Sequence, residues 1–295
     1  MKPSLVGAIE AGGTKFVCAI GTDPQNIEEI RFPTTSPEET IQKAIDFFKA
    51  KEIDSGKIQA IGIGTFGPAE VNPKSEKFGW ITNTPKEKWQ QTDLIRPIKN
   101  ALGDIPFAFD TDVNAAAWGE GRWGAAQGLD HYVYITVGTG IGGGAVNDGK
   151  ILHGKNHPEM GHLRIPKDSS IDPFTGSCPF HGDCLEGLAS GTAIKERWNT
   201  DPSSLPEDHK AWELESTYLA DAILNLTLTL SPERFILGGG VMEQTHLFPM
   251  IRTKLNQRLA GYVEIENIDN FVLPPGLGSK SGVLGAIALA QDLIS

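Results

Sequence analysis

Three times in this chain a short strand-like run ends in clustered glycine. Leu5-Val6-Gly7-Ala8-Ile9 leads through Glu10-Ala11 into Gly12-Gly13-Thr14-Lys15. Tyr132-Val133-Tyr134-Ile135-Thr136-Val137 leads into Gly138-Thr139-Gly140-Ile141-Gly142-Gly143-Gly144, and Arg234-Phe235-Ile236-Leu237 into Gly238-Gly239-Gly240. Runs of this kind predict strands that stop in turns only glycine makes easily. Such a turn lets the backbone approach a ligand and aims its N–H groups at an anion. One glycine turn says little, since most merely reverse the chain; three in one chain restrict the fold. The unit beginning at His131 repeats the plan of residues 5–20, where Phe16-Val17-Cys18-Ala19-Ile20 supplies the return strand. This repetition predicts an internal duplication of two α/β lobes. No turn matches the P-loop, which needs a terminal Gly-Lys-Ser/Thr, and no dinucleotide fingerprint with a following acidic residue is present.

Between the turns the chain alternates helical and strand signals. Ser36-Pro37-Glu38-Glu39 predicts a helix start with Ser36 as N-cap and Glu39 closing a capping box; Ile41, Ala44, Ile45 and Phe48 keep helical spacing behind it. Strands are expected at 58–66 and 106–109, and helices at 92–102, about 209–230 and 282–293, with Ser190 capping another. Residues 200–212, polar and containing proline, read as a surface loop. Cys18, mid-strand among apolar neighbours, belongs to the core. The expected division is an N-terminal lobe of residues 1–115, completed by a C-terminal helix at 280–295. A larger lobe spans 116–279 and carries an irregular loop at 156–191.

Composition removes several classes. A net charge of −11 argues against nucleic acid or an anionic membrane as the main partner. No stretch is long and apolar enough to span a bilayer and the N-terminus lacks a secretory signal, so a cytoplasmic protein is expected. Three cysteines are too few for a disulfide framework and suit a reducing compartment with a metal site.

Two constellations carry chemistry. In Phe109-Asp110-Thr111-Asp112-Val113-Asn114, followed by three alanines, a strand ends and a helix begins. That geometry points an acidic side chain out of the sheet's carboxyl edge. Asp112 and Asp110 both fit, either as a carboxylate base or as a plain N-cap. The second constellation, His162, Cys178, His181 and Cys184, reads His-x15-Cys-x2-His-x2-Cys. Thiolates and imidazoles at this spacing suit tetrahedral zinc, and four protein ligands make it structural. A zinc finger of a nucleic-acid reader is the rival reading; the acidity of the chain and the lack of a basic recognition helix oppose it.

The segments Glu10 to Lys15, Thr136 to Gly144 and Leu237 to Val241 together resemble the ATP-binding segments of the ROK sugar kinases, of the actin-like, ribonuclease-H-like ATPase superfamily. The resemblance covers essentially the whole chain in the right order and is strongest to bacterial fructokinases. It implies two ribonuclease-H-like α/β lobes with an interlobe cleft and a zinc-binding loop. Gly12, Gly13, Thr14 and Lys15, with Thr136, Gly138, Thr139 and Gly140, would surround the phosphates of Mg-ATP. Gly238, Gly239 and Gly240 would lie near the adenosine. Most of the wider family has Asp where this chain has Glu10, whose longer carboxylate would organise magnesium through water. The family's Asn-Asp-x-Asn pattern reads here Thr111-Asp112-Val113-Asn114, which implies Asp112 as the base, with Asp110 the fallback, and Asn114 as a sugar contact. Glu-x-Gly-His reads Glu159-Met160-Gly161-His162. The resemblance gives sugar contacts to Glu159, His162, Glu186 and Asn83, and a homodimer.

The implied activity is transfer of phosphate from ATP to a free hexose, D-fructose to fructose 6-phosphate, with mannose or glucose as alternatives. Sugar-sensing repressors of the same family carry an N-terminal helix-turn-helix, for which a first strand beginning by Leu5 leaves no room. An actin-like assembly module would not need the loop around Glu159 and Glu186.

Overall fold

The computed structural model describes residues 4–295, which divide into two compact units. The first holds the described residues up to Gln127 together with 151–157 and 280–295. Its strands are β1 (Val6–Ala11), β2 (Lys15–Asp23), β3 (Asn26–Pro33), β4 (Ile61–Thr65) and, after a short ribbon of β5 (Trp80–Ile81) and β6 (Thr92–Asp93), β7 (Phe107–Thr111). They form one sheet in the order β3-β2-β1-β4-β7. The first three strands are antiparallel, while β1, β4 and β7 run parallel.

Period-two alternation decides which residues face where. Ile9, Ala11, Phe16, Cys18 and Ile20 point to one face and pack with Ile41, Ala44, Ile45 and Phe48 of α1 (Pro37–Ser55). Val6, Ala8, Val17 and Ala19 point to the other, against Val283, Ala286, Ile287 and Ala290 of the C-terminal helix (Ser281–Asp292). Cys18 is a buried free thiol, as expected of a core position, and burial raises its pKa.

Local signals hold in part. Ser36 caps α1, accepting from the Glu39 amide at 3.3 Å. The capping box does not close, because the Glu39 carboxylate accepts from Thr35 Oγ1 at 2.8 Å and pairs with Lys43 one turn on. The helix expected from Thr92 begins later, as α2 (Ile95–Leu102). Asp93 holds the Ile95 and Arg96 amides, while Thr92 and Asp93 pair as β6 with β5.

The second unit holds 128–150 and 158–279. Its sheet repeats the first: β8 (Tyr132–Val137) forms a hairpin with β9 (Ile141–Asn147), and β11 (Arg234–Gly238) and β12 (Val272–Leu273) extend it in parallel. With the short β10 (Lys150–Ile151) the order is β10-β9-β8-β11-β12. Between the strands lie α3 (Asp112–Trp123, in the first unit), α4 (Leu185–Ala189), α5 (Gly191–Trp198), α6 (Ala211–Leu230), α7 (Leu247–Leu259) and α8 (Ile268–Phe271). Ser190 caps α5 through the Ala193 amide, as its sequence context predicts. Residues 200–212 are less of a surface loop than their polarity suggests. Leu205 and Trp212 are buried, and the Trp212 indole donates to Pro206 O at 2.8 Å. Among the described residues no helix is long and apolar enough to cross a membrane.

Candidate functional site

The first glycine turn closes the β1–β2 hairpin. The Gly12 amide donates to Lys15 O at 3.0 Å, and Thr34 at the end of β3 braces the turn from outside. Its amide donates to Thr14 O at 2.9 Å and its hydroxyl to Gly12 O at 2.7 Å. The Gly13 and Thr14 amides find no partner among the described residues, which leaves two adjacent N–H donors for an anion. Glu10, just before the turn, extends under the start of the C-terminal helix and accepts from the Val283 amide. Burial pushes its pKa up, with Lys15 and Arg31 pulling the other way, and Oε2 has no hydrogen-bond partner among the described residues.

At the end of β7 the two candidate carboxylates take different environments. Asp110 is buried: Oδ1 accepts from the Thr111 amide and from Asn114 Nδ2, both at 2.7 Å, and Oδ2 pairs with His153 Nε2 at 2.8 Å. Asp112 is the first residue of α3 and half-buried; its Oδ1 accepts from the Val113 amide at 2.9 Å. Neither is the cap. Thr111 caps α3, its hydroxyl accepting from the Asn114 amide at 3.2 Å. Asn114 is buried with Oδ1 unpartnered, and Asn83 is exposed, accepting from Gln91 Nε2 at 3.2 Å.

From the sequence His153 precedes the loop and could line the site without being a ligand; its partner Asp110 was not foreseen. Nothing in its neighbourhood signals a partner 43 residues away. The hydrogen bond it donates to the Asp110 carboxylate raises its pKa, against a smaller opposing effect of burial. A histidine raised in this way stabilises the fold below its ordinary pKa of about 6.5, and the benefit fades as pH climbs through the raised folded value. The thermal midpoint of His153→Ala should therefore trail that of the unsubstituted protein most near about pH 6, with the gap narrowing as the pH rises further. A gap that widens with pH would contradict the pairing.

In the second unit the turn after β8 is built similarly. The Gly138 amide donates to Gly140 O at 2.9 Å, and the turn is tied to α5 by Gly191 N–H to Gly138 O (2.7 Å) and Thr192 Oγ1 to Thr139 O (2.8 Å). The Thr139 and Gly140 amides again have no partner among the described residues. Thr136, the last residue but one of β8, is half-buried. Glu186, in the first turn of α4, sends Oε2 to the Ile141 amide at 2.9 Å, so the loop segment supports the turn. The third turn needs its glycine: Gly239 has φ +91°, and a side chain there would meet Val137 O at 2.4 Å. Gly238 abuts the Tyr134 hydroxyl, while Gly240 faces open space.

His162, Cys178, His181 and Cys184 converge, with their ligand atoms all within 4.8 Å of one another. His162 Nδ1 lies 3.5 Å from Cys184 Sγ and 3.7 Å from Cys178 Sγ, and His181 Nδ1 lies 3.8 Å from Cys178 Sγ. A tetrahedral zinc with bonds of about 2.0–2.3 Å sets nitrogen–sulfur edges near 3.6 Å, so this donor set fits the ion in size and chemistry. Both imidazoles turn Nδ1 inward, which leaves His162 Nε2 for another contact. Glu159 is exposed and opens the short turn Met160–His162, its carbonyl accepting from the His162 amide. A second anchor of this loop was not anticipated. Asp172 is buried between Arg197 (3.1 Å) and the Tyr218 hydroxyl (2.6 Å).

The duplicated sheet, each copy opening on a hairpin whose turn offers two open amides, is the architecture of the ribonuclease-H-like, actin-like ATPases. Within that class the chain belongs to the ROK family, which it matches over residues 6–293. It is 45% identical to a putative fructokinase of Bacillus subtilis, covering 98% of this chain and 96% of that one. It is 43% identical to a fructokinase of Pediococcus pentosaceus, with 97% and 98% covered. Among solved structures it is similar to a ROK family glucokinase of Streptomyces griseus in complex with glucose and AMPPNP, with TM-score 0.76 and 26% identity over 98% of this chain and all of that one.

Proposed function

We propose that this protein is an ATP-dependent fructokinase, converting D-fructose to fructose 6-phosphate. The observation that carries the reading is full-length kinship to fructokinases above 40% identity, set against 26% to the glucokinase. The kinase chemistry is supported by a carboxylate at the carboxyl end of a parallel strand that is not used as a helix cap. Asp112 accepts the proton of the attacking hydroxyl. The hydroxyl oxygen bonds to the γ-phosphorus, the bridging bond to ADP breaks, and the electron pair leaves with ADP. Catalysis of this kind is mostly positioning and charge stabilisation. The amides of Gly13, Thr14, Thr139 and Gly140 suit the phosphates, with Thr136, Gly138, Gly12 and Lys15 shaping their turns, and Gly238, Gly239 and Gly240 suit the adenosine.

Magnesium enters with ATP; Glu10, whose buried Oε2 lacks a protein partner, is the carboxylate that would orient its water. Zinc, held by His162, Cys178, His181 and Cys184, would fix the loop presenting Glu159, His162 and Glu186 to sugar hydroxyls, with Asn83 and Asn114 as further contacts. In this reading the two lobes are these two units, with the first extending to Gln127 and including 151–157 rather than ending at 115. We place the enzyme in the cytoplasm as a homodimer, consistent with its sparse cysteines and with family resemblance respectively.

Coupled ADP release with Mg-ATP and a panel of fructose, mannose, glucose and N-acylated hexosamines tests the assignment. Fructose should exceed the next hexose in kcat/KM by at least about tenfold, the discrimination a few hydroxyl contacts supply. A preference for glucose or mannose would move the substrate and keep the chemistry.

A further inference from the structure

We propose that Lys86 is a further catalytic residue, its ammonium laid across the first glycine turn to contact the phosphoryl group as it transfers. A Cβ placed on Gly13 would lie 2.8 Å from Lys86 Cε and 3.7 Å from Nζ. The aliphatic stem of the lysine therefore occupies the space a side chain at position 13 would need. This brings a cation to the turn whose Gly13 and Thr14 amides have no partner among the described residues.

The lysine is rooted in rigid structure. Its carbonyl accepts from the Trp89 amide at 2.8 Å, and its own amide rests on Thr84 Oγ1. Trp89 is fully buried, 5.5 Å from the Phe16 ring and 5.7 Å from Phe66, with its indole donating to Thr35 O at 2.9 Å. The short turn Glu87–Trp89 is thus pinned to the same strands that carry the glycine turn, and Lys86 leaves it at a fixed point. Beside the lysine lies an open pocket lined by Thr34, Thr35, Ser36, Glu39, Glu87 and Lys88. The one carboxylate of α1 in it, Glu39, is engaged by Lys43 and Thr35. Lys86 has no ion pair among the described residues, although the Glu87 and Glu39 carboxylates line the same pocket.

Lys86 is exposed, and its stem lies along the glycine backbone with the ammonium left in solvent. Such a placement suits phosphoryl transfer, because backbone dipoles bind the phosphates of ATP and ADP alike, while a mobile-headed cation at the turn's tip can follow the charge of the moving group. Lys86 neither gives nor takes a proton in this scheme. The new bond to the acceptor oxygen forms and the bond to the β-phosphate oxygen breaks, with Asp112 holding the proton.

The proposal rests on the kinase reading, and its test separates the two. Lys86→Met should lower kcat about 100-fold or more, the usual loss of one preorganised donor, with hexose KM within about twofold and ADP affinity unchanged. Lys86→Arg, which keeps the charge, should stay within about tenfold of the unsubstituted enzyme. Trp89 fluorescence checks that the segment stays packed. A methionine variant keeping a third of the normal kcat, or losing ADP affinity in parallel, overturns the role. If the unsubstituted protein phosphorylates no sugar, the kinase reading fails instead. Lys86 is then judged on a non-hydrolysable ATP analogue: at least about fivefold weaker binding in Lys86→Met, with ADP unaffected, supports it, and unchanged affinity overturns it.

Discussion

Asparagine in place of Asp112 should lower kcat by about a thousandfold or more while the protein stays folded and binds nucleotide as before. The size follows from what the substitution removes. A positioned carboxylate contributes roughly 10² to 10⁴ to a proton transfer, and an amide of the same shape cannot accept the proton at all. Folding should hardly notice. The cap of α3 is Thr111, and an asparagine oxygen can still accept from the Val113 amide. The loss includes one negative charge at a helix N-terminus, about 0.3–1 kcal/mol. The measurement is steady-state ADP release beside direct nucleotide binding and a thermal midpoint. Asp110→Asn is the control with the opposite profile. Asp110 is buried with hydrogen bonds to Thr111, Asn114 and His153, so its amide variant should lose stability first. Normal turnover in Asp112→Asn would remove it as the base and pass the role to Asp110.

What could be read in advance depended on how far apart in the chain the interacting groups lie. The glycine turns, the duplicated strand plan, the Ser36 cap and the Cys-x2-His-x2-Cys run all express themselves within a few residues, and each is a local consequence of backbone or ligand geometry. The apolar alternation of β1 and β2 likewise names its two faces before their partners are known. The misreadings share the opposite property. Asp112 and Asp110 competed as caps only because the intervening Thr111 was not weighed. The Glu39 carboxylate had several local partners, and Thr35 with Lys43 won over the capping box. Trp212 looked like part of a polar loop until α6 took it inside. His153 against Asp110, Lys86 against Gly13 and Asp172 against Arg197 join segments whose meeting only the folded sheet arranges. Such pairs leave no spacing signature.

Removing the metal from the His162, Cys178, His181 and Cys184 cluster should cost at least about a hundredfold in kcat/KM for the hexose, with nucleotide affinity far less affected. Structural zinc supplies about 10–16 kcal/mol to small metal-folded peptides, so a loop closed by it is not expected to hold its shape when the ion leaves. The damage should stay local, for two reasons. Strands β8, β9, β11 and β12 hold one another through their own ladder even though β9 touches the Met160–His162 turn, and Asp172 keeps the middle of the loop fastened to Arg197 and Tyr218. The two ends of the loop differ from its middle: Cys184 immediately precedes α4, so freeing it loosens the helix that carries Glu186 against Ile141. A modest secondary loss of nucleotide affinity through that contact is therefore expected, smaller than the loss on the sugar side. The experiment compares metal content, hexose kinetics and nucleotide binding in the purified protein, in Cys184→Ser, and after treatment with a soft chelator that spares magnesium. One zinc per chain, lost in the variant together with sugar turnover and restored with it by adding zinc to the chelated protein, is the expected pattern. A metal-free protein with full turnover would show that Asp172 and the surrounding packing suffice to hold the loop. Global unfolding on chelation would show that the second unit cannot stand without the ion.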